Sequence, residues 1–218
     1  MAPEHPFPDF VFDGAAAVRW ARDHAAEFGG DPERIYLSGH SAGGHTAMML
    51  ALDARYLRDV GLQPHDIAGV ISLAGPTGLE NLRGKSLAGV FPLAIPDNRF
   101  SPIALAPQMA SAAPPFLLMI GLDDDVIYAS SIDRLASVIR AGGGRVAVEM
   151  YPDTGHIGLV LGFSGLFDWS NTLATRIAQF AGLAHGPVAM RPLAPAIASP
   201  APNETALTTI DRVSDQRQ

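Results

Sequence analysis

The 218-residue sequence predicts an α/β protein in which helices flank a mostly parallel sheet. Short apolar runs of strand length recur along the chain, and segments with helical spacing separate them. Polar or charged residues follow directly where several of these runs end. Strands that alternate with helices form parallel sheets, and open sheets of this kind bind ligands at the carboxyl ends of their strands. Functional residues are therefore expected just after the strands.

The first predicted helix precedes the first strand. Asp13 is its predicted N-cap, and Gly29 and Gly30 end it. Its apolar face consists of Val18, Ala21, Ala25 and Phe28. Residues 35–38 then form an apolar run, which predicts the first strand.

Residues 39–43 spell G-x-S-x-G, the pattern of a nucleophile elbow, between this strand and a helix predicted over residues 42–54. A serine at so sharp a turn has a strained backbone, so small residues are needed on both sides of it. The turn would expose the Ser41 hydroxyl, and the N–H of Ala42 would face an oxyanion formed on a bound carbonyl. In a chain with 22 glycines, the motif alone also suits an ordinary glycine-rich turn.

Three further strands are predicted after that helix. Residues 67–73 and 116–120 are continuous apolar runs, typical of buried strands, and residues 146–150 alternate in polarity. Residues 75–113 lack a clear period and are predicted to cross the active-site face as a lid or acyl-pocket wall. The last two helices are predicted around residues 132–139 and 173–180.

Two of these strand ends supply candidate partners for Ser41. The third strand leads into Asp123, Asp124 and Asp125, and the fourth leads to His156. The chain order Ser, Asp, His is that of α/β-hydrolases and differs from the order in the other main serine-hydrolase folds. In such sites histidine takes the serine proton and the acid orients the imidazole. Ser41 is therefore the candidate nucleophile and His156 the candidate base.

Metal sites fit these residues less well. Three successive acids of an extended segment point apart, whereas calcium needs about six to eight oxygen ligands around it. His40 and His45 flank the serine, but a zinc site there lacks a nearby third ligand. Both histidines are predicted to be pocket wall or surface, and no metal or cofactor is expected.

Four segments resemble, in order, the α/β-hydrolase esterase and lipase group; they are residues 2–8, 28–35, 39–45 and 155–158. This group includes acetyl esterases, hormone-sensitive-lipase-like carboxylesterases, and feruloyl-esterase-like and kynurenine-formamidase-like proteins. The resemblance implies an α/β-hydrolase fold and the hydrolysis of small carboxylic esters through an acyl-enzyme. A formamidase or another amidase would use the same residues.

The resemblance also implies which acid acts. Asp124 fits the family spacing Gly-x-x-Asp-x-x-aliphatic, in which Gly121 and Ile127 are the ends. Asp123 and Asp125 are then solvated loop acids.

A further implication concerns the start of the sheet. Members of the group carry a His-Gly-Gly loop, which donates part of the oxyanion hole, on strands ahead of the elbow strand. We expect that loop and those strands to be absent from this N-terminally truncated sequence. The strand at 35–38 would then be an exposed edge through which copies can associate. A non-catalytic remnant is accordingly the alternative to an enzyme.

Composition limits the partners and the domain count. We predict one domain over residues 1–183 and a disordered tail, rich in Pro and Ala, over residues 184–218. The chain has no cysteine, which excludes disulfides and Cys-based zinc sites. A net charge of −7 disfavours nucleic acid and anionic membranes as partners. No apolar run is long enough to span a bilayer and no secretory signal is visible, so a cytoplasmic location is expected. The resemblance to the esterase and lipase group implies a small-molecule ester as the substrate.

Overall fold

The computed structural model describes residues 4–78, 89–91, 99–163 and 170–183, and in it four parallel strands form one sheet in the order β1-β2-β3-β4. The strands are β1 Tyr36–His40, β2 Gly69–Leu73, β3 Phe116–Gly121 and β4 Val146–Tyr151. All three neighbouring pairs are parallel. This confirms the predicted α/β fold with a parallel sheet.

Helices connect and cover the strands. They are α1 Asp9–His24, α2 Ala42–Leu52, α3 Ala54–Asp59, α4 Pro102–Met109, α5 Ala129–Ala141, α6 Gly158–Leu161 and α7 Ser170–Phe180. Because every strand runs the same way, the segments that follow β1, β3 and β4 all leave the sheet at the carboxyl ends of its strands. None of the described helices is long and apolar enough to cross a membrane.

The central strands form the core of the molecule. All residues of β2 and β3 are buried, whereas most residues of β1 are half-buried and Ser38 is exposed. Among the described residues, β1 pairs with β2 and with no other strand. β1 is thus an edge of the described sheet.

The first helix differs from its prediction. It begins at Asp9, so Asp13 lies inside it rather than at its cap. Phe28, predicted on the buried face, lies in the 3-10 turn Ala25–Phe28 and is 75% exposed. A 3-10 turn has about three residues per turn, so the spacing of an α-helix no longer tells which side faces the core.

The elbow helix is shorter than predicted. It ends at Leu52, because Asp53 is extended and its side chain accepts a hydrogen bond from the N–H of Arg55, which caps α3. Asp53 therefore ends one helix and starts the next.

The segment 75–113 is not irregular throughout. Residues 102–109 form α4, which packs against α2 and α5, and Ala106 is fully buried. Residues 79–88 and 92–98 of the predicted lid or pocket wall lie outside the described residues, as does the predicted tail over 184–218.

Candidate active site

Ser41 occupies the turn between β1 and α2, with φ 52° and ψ −119°. A residue with a Cβ atom rarely adopts such a positive φ, and the strain costs about 1–3 kcal/mol. Two backbone hydrogen bonds hold the turn. The Ser41 N–H donates to the carbonyl of Leu73 at 2.8 Å, and the Ser41 carbonyl accepts from the N–H of His45 at 3.1 Å. The elbow is therefore fixed to β2 and to α2 at once.

Gly39 is required because β1 and α2 meet closely at this turn. A Cβ atom on Gly39 would lie 2.3 Å from the carbonyl carbon of Gly43 and 2.4 Å from its oxygen. Both are backbone atoms, which cannot move aside without displacing the helix. A Cβ atom on Gly43 itself would meet nothing within 4 Å.

This contrast gives a stability prediction. Gly39→Ala is expected to lower the free energy of unfolding by about 1–3 kcal/mol or more, because the added methyl group pushes α2 away from β1. The matched control Gly43→Ala adds the same methyl group in open space and removes helix-interior flexibility, so it should be neutral or stabilising by about 0.5–1 kcal/mol. Urea denaturation of both variants measures the difference. Equal denaturation midpoints would show that a methyl group at residue 39 fits between β1 and α2 without loss of stability.

The three residues predicted from sequence come together by two hydrogen bonds. The Ser41 Oγ lies 2.9 Å from His156 Nε2, and His156 Nδ1 lies 2.8 Å from Asp124 Oδ2. The Asp124 side chain is fully buried and that of His156 is 11% exposed. With the N–H on Nδ1 directed at the carboxylate, Nε2 is left to accept the hydroxyl proton.

Asp124 is the acid that the fold turns inward. Its Oδ1 accepts hydrogen bonds from the N–H groups of Val126 at 2.9 Å and Ile127 at 2.7 Å, and its Oδ2 meets His156. Asp123 and Asp125 are exposed on either side. The described residues contain no group of three or more metal-ligating side chains placed to hold an ion.

The loops that carry Asp124 and His156 pack directly on each other. The Asp123 N–H donates to the Thr154 carbonyl at 3.1 Å. A Cβ atom on Gly121 would lie only 1.9 Å from that same carbonyl oxygen, so the end of β3 must be glycine here. Asp153, three residues before His156, has a φ of 51°, in the left-handed region that a residue with a Cβ atom rarely adopts.

Ala42 is the first residue of α2. Its N–H therefore has no carbonyl acceptor within the helix and lies at the positive end of the helix dipole, next to Ser41. Its carbonyl accepts a hydrogen bond from Thr46 Oγ1 at 3.0 Å.

The two histidines beside the serine make contacts that their prediction as pocket wall or surface does not include. His45 is buried and its Nε2–H donates to the Phe100 carbonyl at 2.7 Å, which ties α2 to the residues ahead of α4. Burial lowers the pKa of His45, so it stays a neutral donor. His40 donates from Nε2 to the His156 carbonyl at 2.9 Å. Their acceptors lie 55 and 116 residues away, so no local sequence signal could have shown either bond.

Known proteins resemble this chain in sequence. The profile of a family described as alpha/beta hydrolase fold matches residues 1–159. The chain is 48% identical over 64 residues to Carboxylesterase NlhH of Mycobacterium tuberculosis, a match that covers 29% of this chain and 19% of that protein. It is 26% identical over 215 residues to Esterase LipQ of the same species, covering 85% of this chain and 46% of that protein. These matches span less than half the length of either relative.

A solved structure has the same fold. The structure described as a truncated form of carbohydrate esterase from gut microbiota superimposes with a TM-score of 0.67 at 20% sequence identity. The match covers 82% of this chain and 70% of that one. At this level of identity the likeness concerns the fold.

Proposed function

The chain belongs to the alpha/beta hydrolase family, and from this premise we propose that it hydrolyses small carboxylic esters with Ser41 as nucleophile. One observation carries the proposal: His156 bridges Ser41 at 2.9 Å and the buried Asp124 at 2.8 Å. A hydroxyl in a strained turn, a base and a buried acid in this order are what acyl transfer requires. The names of the sequence relatives, a carboxylesterase and an esterase, support an ester as the substrate.

The proposed reaction proceeds in two halves. His156 Nε2 takes the proton of Ser41 as its Oγ attacks the carbonyl carbon, and the imidazolium then gives that proton to the departing alcohol. A water molecule, activated by the same nitrogen, hydrolyses the acyl-enzyme and releases the acid. Asp124 holds the imidazole in the tautomer with hydrogen on Nδ1 and stabilises its positive charge.

The oxyanion of each tetrahedral intermediate needs donors. We assign one of them to the Ala42 N–H, because it stands at the start of α2 beside Ser41. One such donor is worth about 10² to 10³ in turnover.

The test is covalent labelling of residues 1–218 with a fluorophosphonate probe. Only an activated serine reacts at useful rates, so intact-mass analysis is expected to show one adduct, and peptide mapping should place it on Ser41. Ser38→Ala is the matched control, since Ser38 is an exposed serine of β1, and it should label like the wild type. Labelling that survives Ser41→Ala would contradict the proposal.

The same three residues can cleave amides. Comparing an aryl acetate with the corresponding acetanilide separates the two activities, and the esterase names of the relatives favour the ester. We assign the catalytic domain to residues 1–183.

We also propose that copies of this chain associate through β1. The Ile35 carbonyl and the Ser41 N–H bond to the segment of β2, so the alternation of a parallel ladder turns the N–H groups of Tyr36 and Ser38 away from it. Among the described residues no strand pairs with these outward groups, and unpaired groups on an edge strand form a template for another strand.

Size-exclusion chromatography across a range of protein concentrations tests this association. Ser38→Pro removes an outward N–H without touching the bonds to β2, so it should shift the protein toward the monomer. Association that is unchanged in this variant would place the contact elsewhere.

A further inference from the structure

We propose that His40 is a positioning residue, which holds the peptide of the base in place against the nucleophile. The inference rests on the proposed hydrolase function and adds a residue to it. His40 is the last residue of β1 and directly precedes Ser41. Its Nε2–H donates to the carbonyl of His156 at 2.9 Å, across 116 residues of chain. The two imidazole rings lie 4.6 Å apart between centroids, at an angle of 48°.

Among the described residues, few other hydrogen bonds join the loop that carries His156 to neighbouring elements. It runs from the end of β4 at Tyr151 to the start of α6 at Gly158. The Thr154 carbonyl accepts from the acid loop, and the Ile157 carbonyl accepts from within α6. In the part of the chain that the structure describes, no backbone–backbone hydrogen bond joins Gly155 or His156 to another element. Among the described residues, the bond from His40 is therefore the hydrogen bond that joins the His156 peptide to another element.

Two different degrees of freedom must be fixed for the base to work. Asp124 fixes the rotation and tautomer of the imidazole through Nδ1. It does not fix where the backbone of residue 156 lies. The bond from His40 does so. Because His40 and Ser41 are adjacent, this bond fixes the position of the His156 backbone relative to the strand that carries Ser41. A displacement of about 1 Å at a reacting group can cost about 10²-fold in rate.

Two substitutions separate the effect of the His40 aromatic ring from the effect of its N–H donor. His40→Phe keeps an aromatic ring against His156 and removes the N–H. His40→Gln removes the ring but places an amide N–H at a similar distance from the backbone. His65→Phe is the matched control, because His65 is exposed in the 3-10 turn Pro64–Asp66 and remote from Ser41 in the fold.

We expect His40→Phe to lower kcat for a short-chain ester about 10- to 100-fold while KM stays within about twofold. His40→Gln should recover most of kcat, and His65→Phe should match the wild type. In a His156→Ala background, His40→Phe should cause no further loss, because a residue that acts through the base has nothing left to position. Amide hydrogen exchange at residues 154–158 should be faster in His40→Phe and near wild-type in His40→Gln.

Several outcomes would overturn the inference. They are full kcat in His40→Phe, a loss of the same size in the His156→Ala background, or a change confined to KM, which would indicate a substrate contact. Failure of the proposed function is distinguishable from these results. If wild-type protein shows neither turnover nor labelling that depends on Ser41, the function is wrong, and exchange at 154–158 alone then decides whether His40 holds the loop.

Discussion

Ser41→Ala is expected to lower kcat for a short-chain acetate ester by about 10⁶-fold. The reaction then lacks the oxygen that forms the acyl-enzyme, and binding alone leaves only a small residual rate. The fold should persist, because alanine has the same Cβ atom as serine at φ 52° and the turn is held by backbone bonds to Leu73 and His45. Steady-state hydrolysis of a chromogenic acetate measures the effect.

Two further variants sharpen this result. Removing His156 in addition to Ser41 should cost little more than removing Ser41 alone, because the residues act as one unit. Ser41→Gly should be as inactive as Ser41→Ala. Its free energy of unfolding should nevertheless exceed that of Ser41→Ala by about 1 kcal/mol or more, since glycine adopts a positive φ without strain. Substantial turnover by Ser41→Ala would refute the assignment of the nucleophile.

Asp124→Asn is expected to lower kcat by about 10⁴-fold. The asparagine oxygen can keep the bonds that Oδ1 accepts from Val126 and Ile127, so the loop should hold its shape. The amide nitrogen then faces His156 Nδ1 and donates to it. That reversal places the imidazole hydrogen on Nε2, which can no longer accept the proton of Ser41.

Asp123→Asn and Asp125→Asn are the matched controls, because each removes one charge from the same loop at an exposed position. Both should stay within a few-fold of wild-type turnover, and circular dichroism should show all three variants folded. If either control proves more damaging than Asp124→Asn, the acid is misassigned.

The sheet and the positions of Ser41, Asp124 and His156 just after its strands were predictable because their signals are local. A buried parallel strand is a continuous apolar run, and the glycine at 39 reflects a close backbone contact with residue 43 within one turn. The helix α4 was missed because Pro102 and Pro107 lie within it, and proline in a short segment indicates a loop. Pro102 is nevertheless suited to the first turn of a helix, where its missing N–H costs nothing.

The roles of His40 and His45 could not be predicted for a different reason. Each side chain bonds to a carbonyl oxygen, and every residue has one, so the identity of the acceptor residue leaves no mark on the sequence. Only the arrangement of distant segments in space selects the acceptor.

The hydrogen bond from Ser41 to His156 joins residues 115 positions apart, and it connects the segments after the two outer strands of the described sheet. Loop-closure entropy opposes such a contact until the intervening strands have paired. A partly folded chain can contain helices and even the β2–β3 pair without any bond between Ser41 and His156. During refolding, hydrolysis should therefore return after the helical signal does, and its return marks the completion of the sheet rather than the formation of any one element.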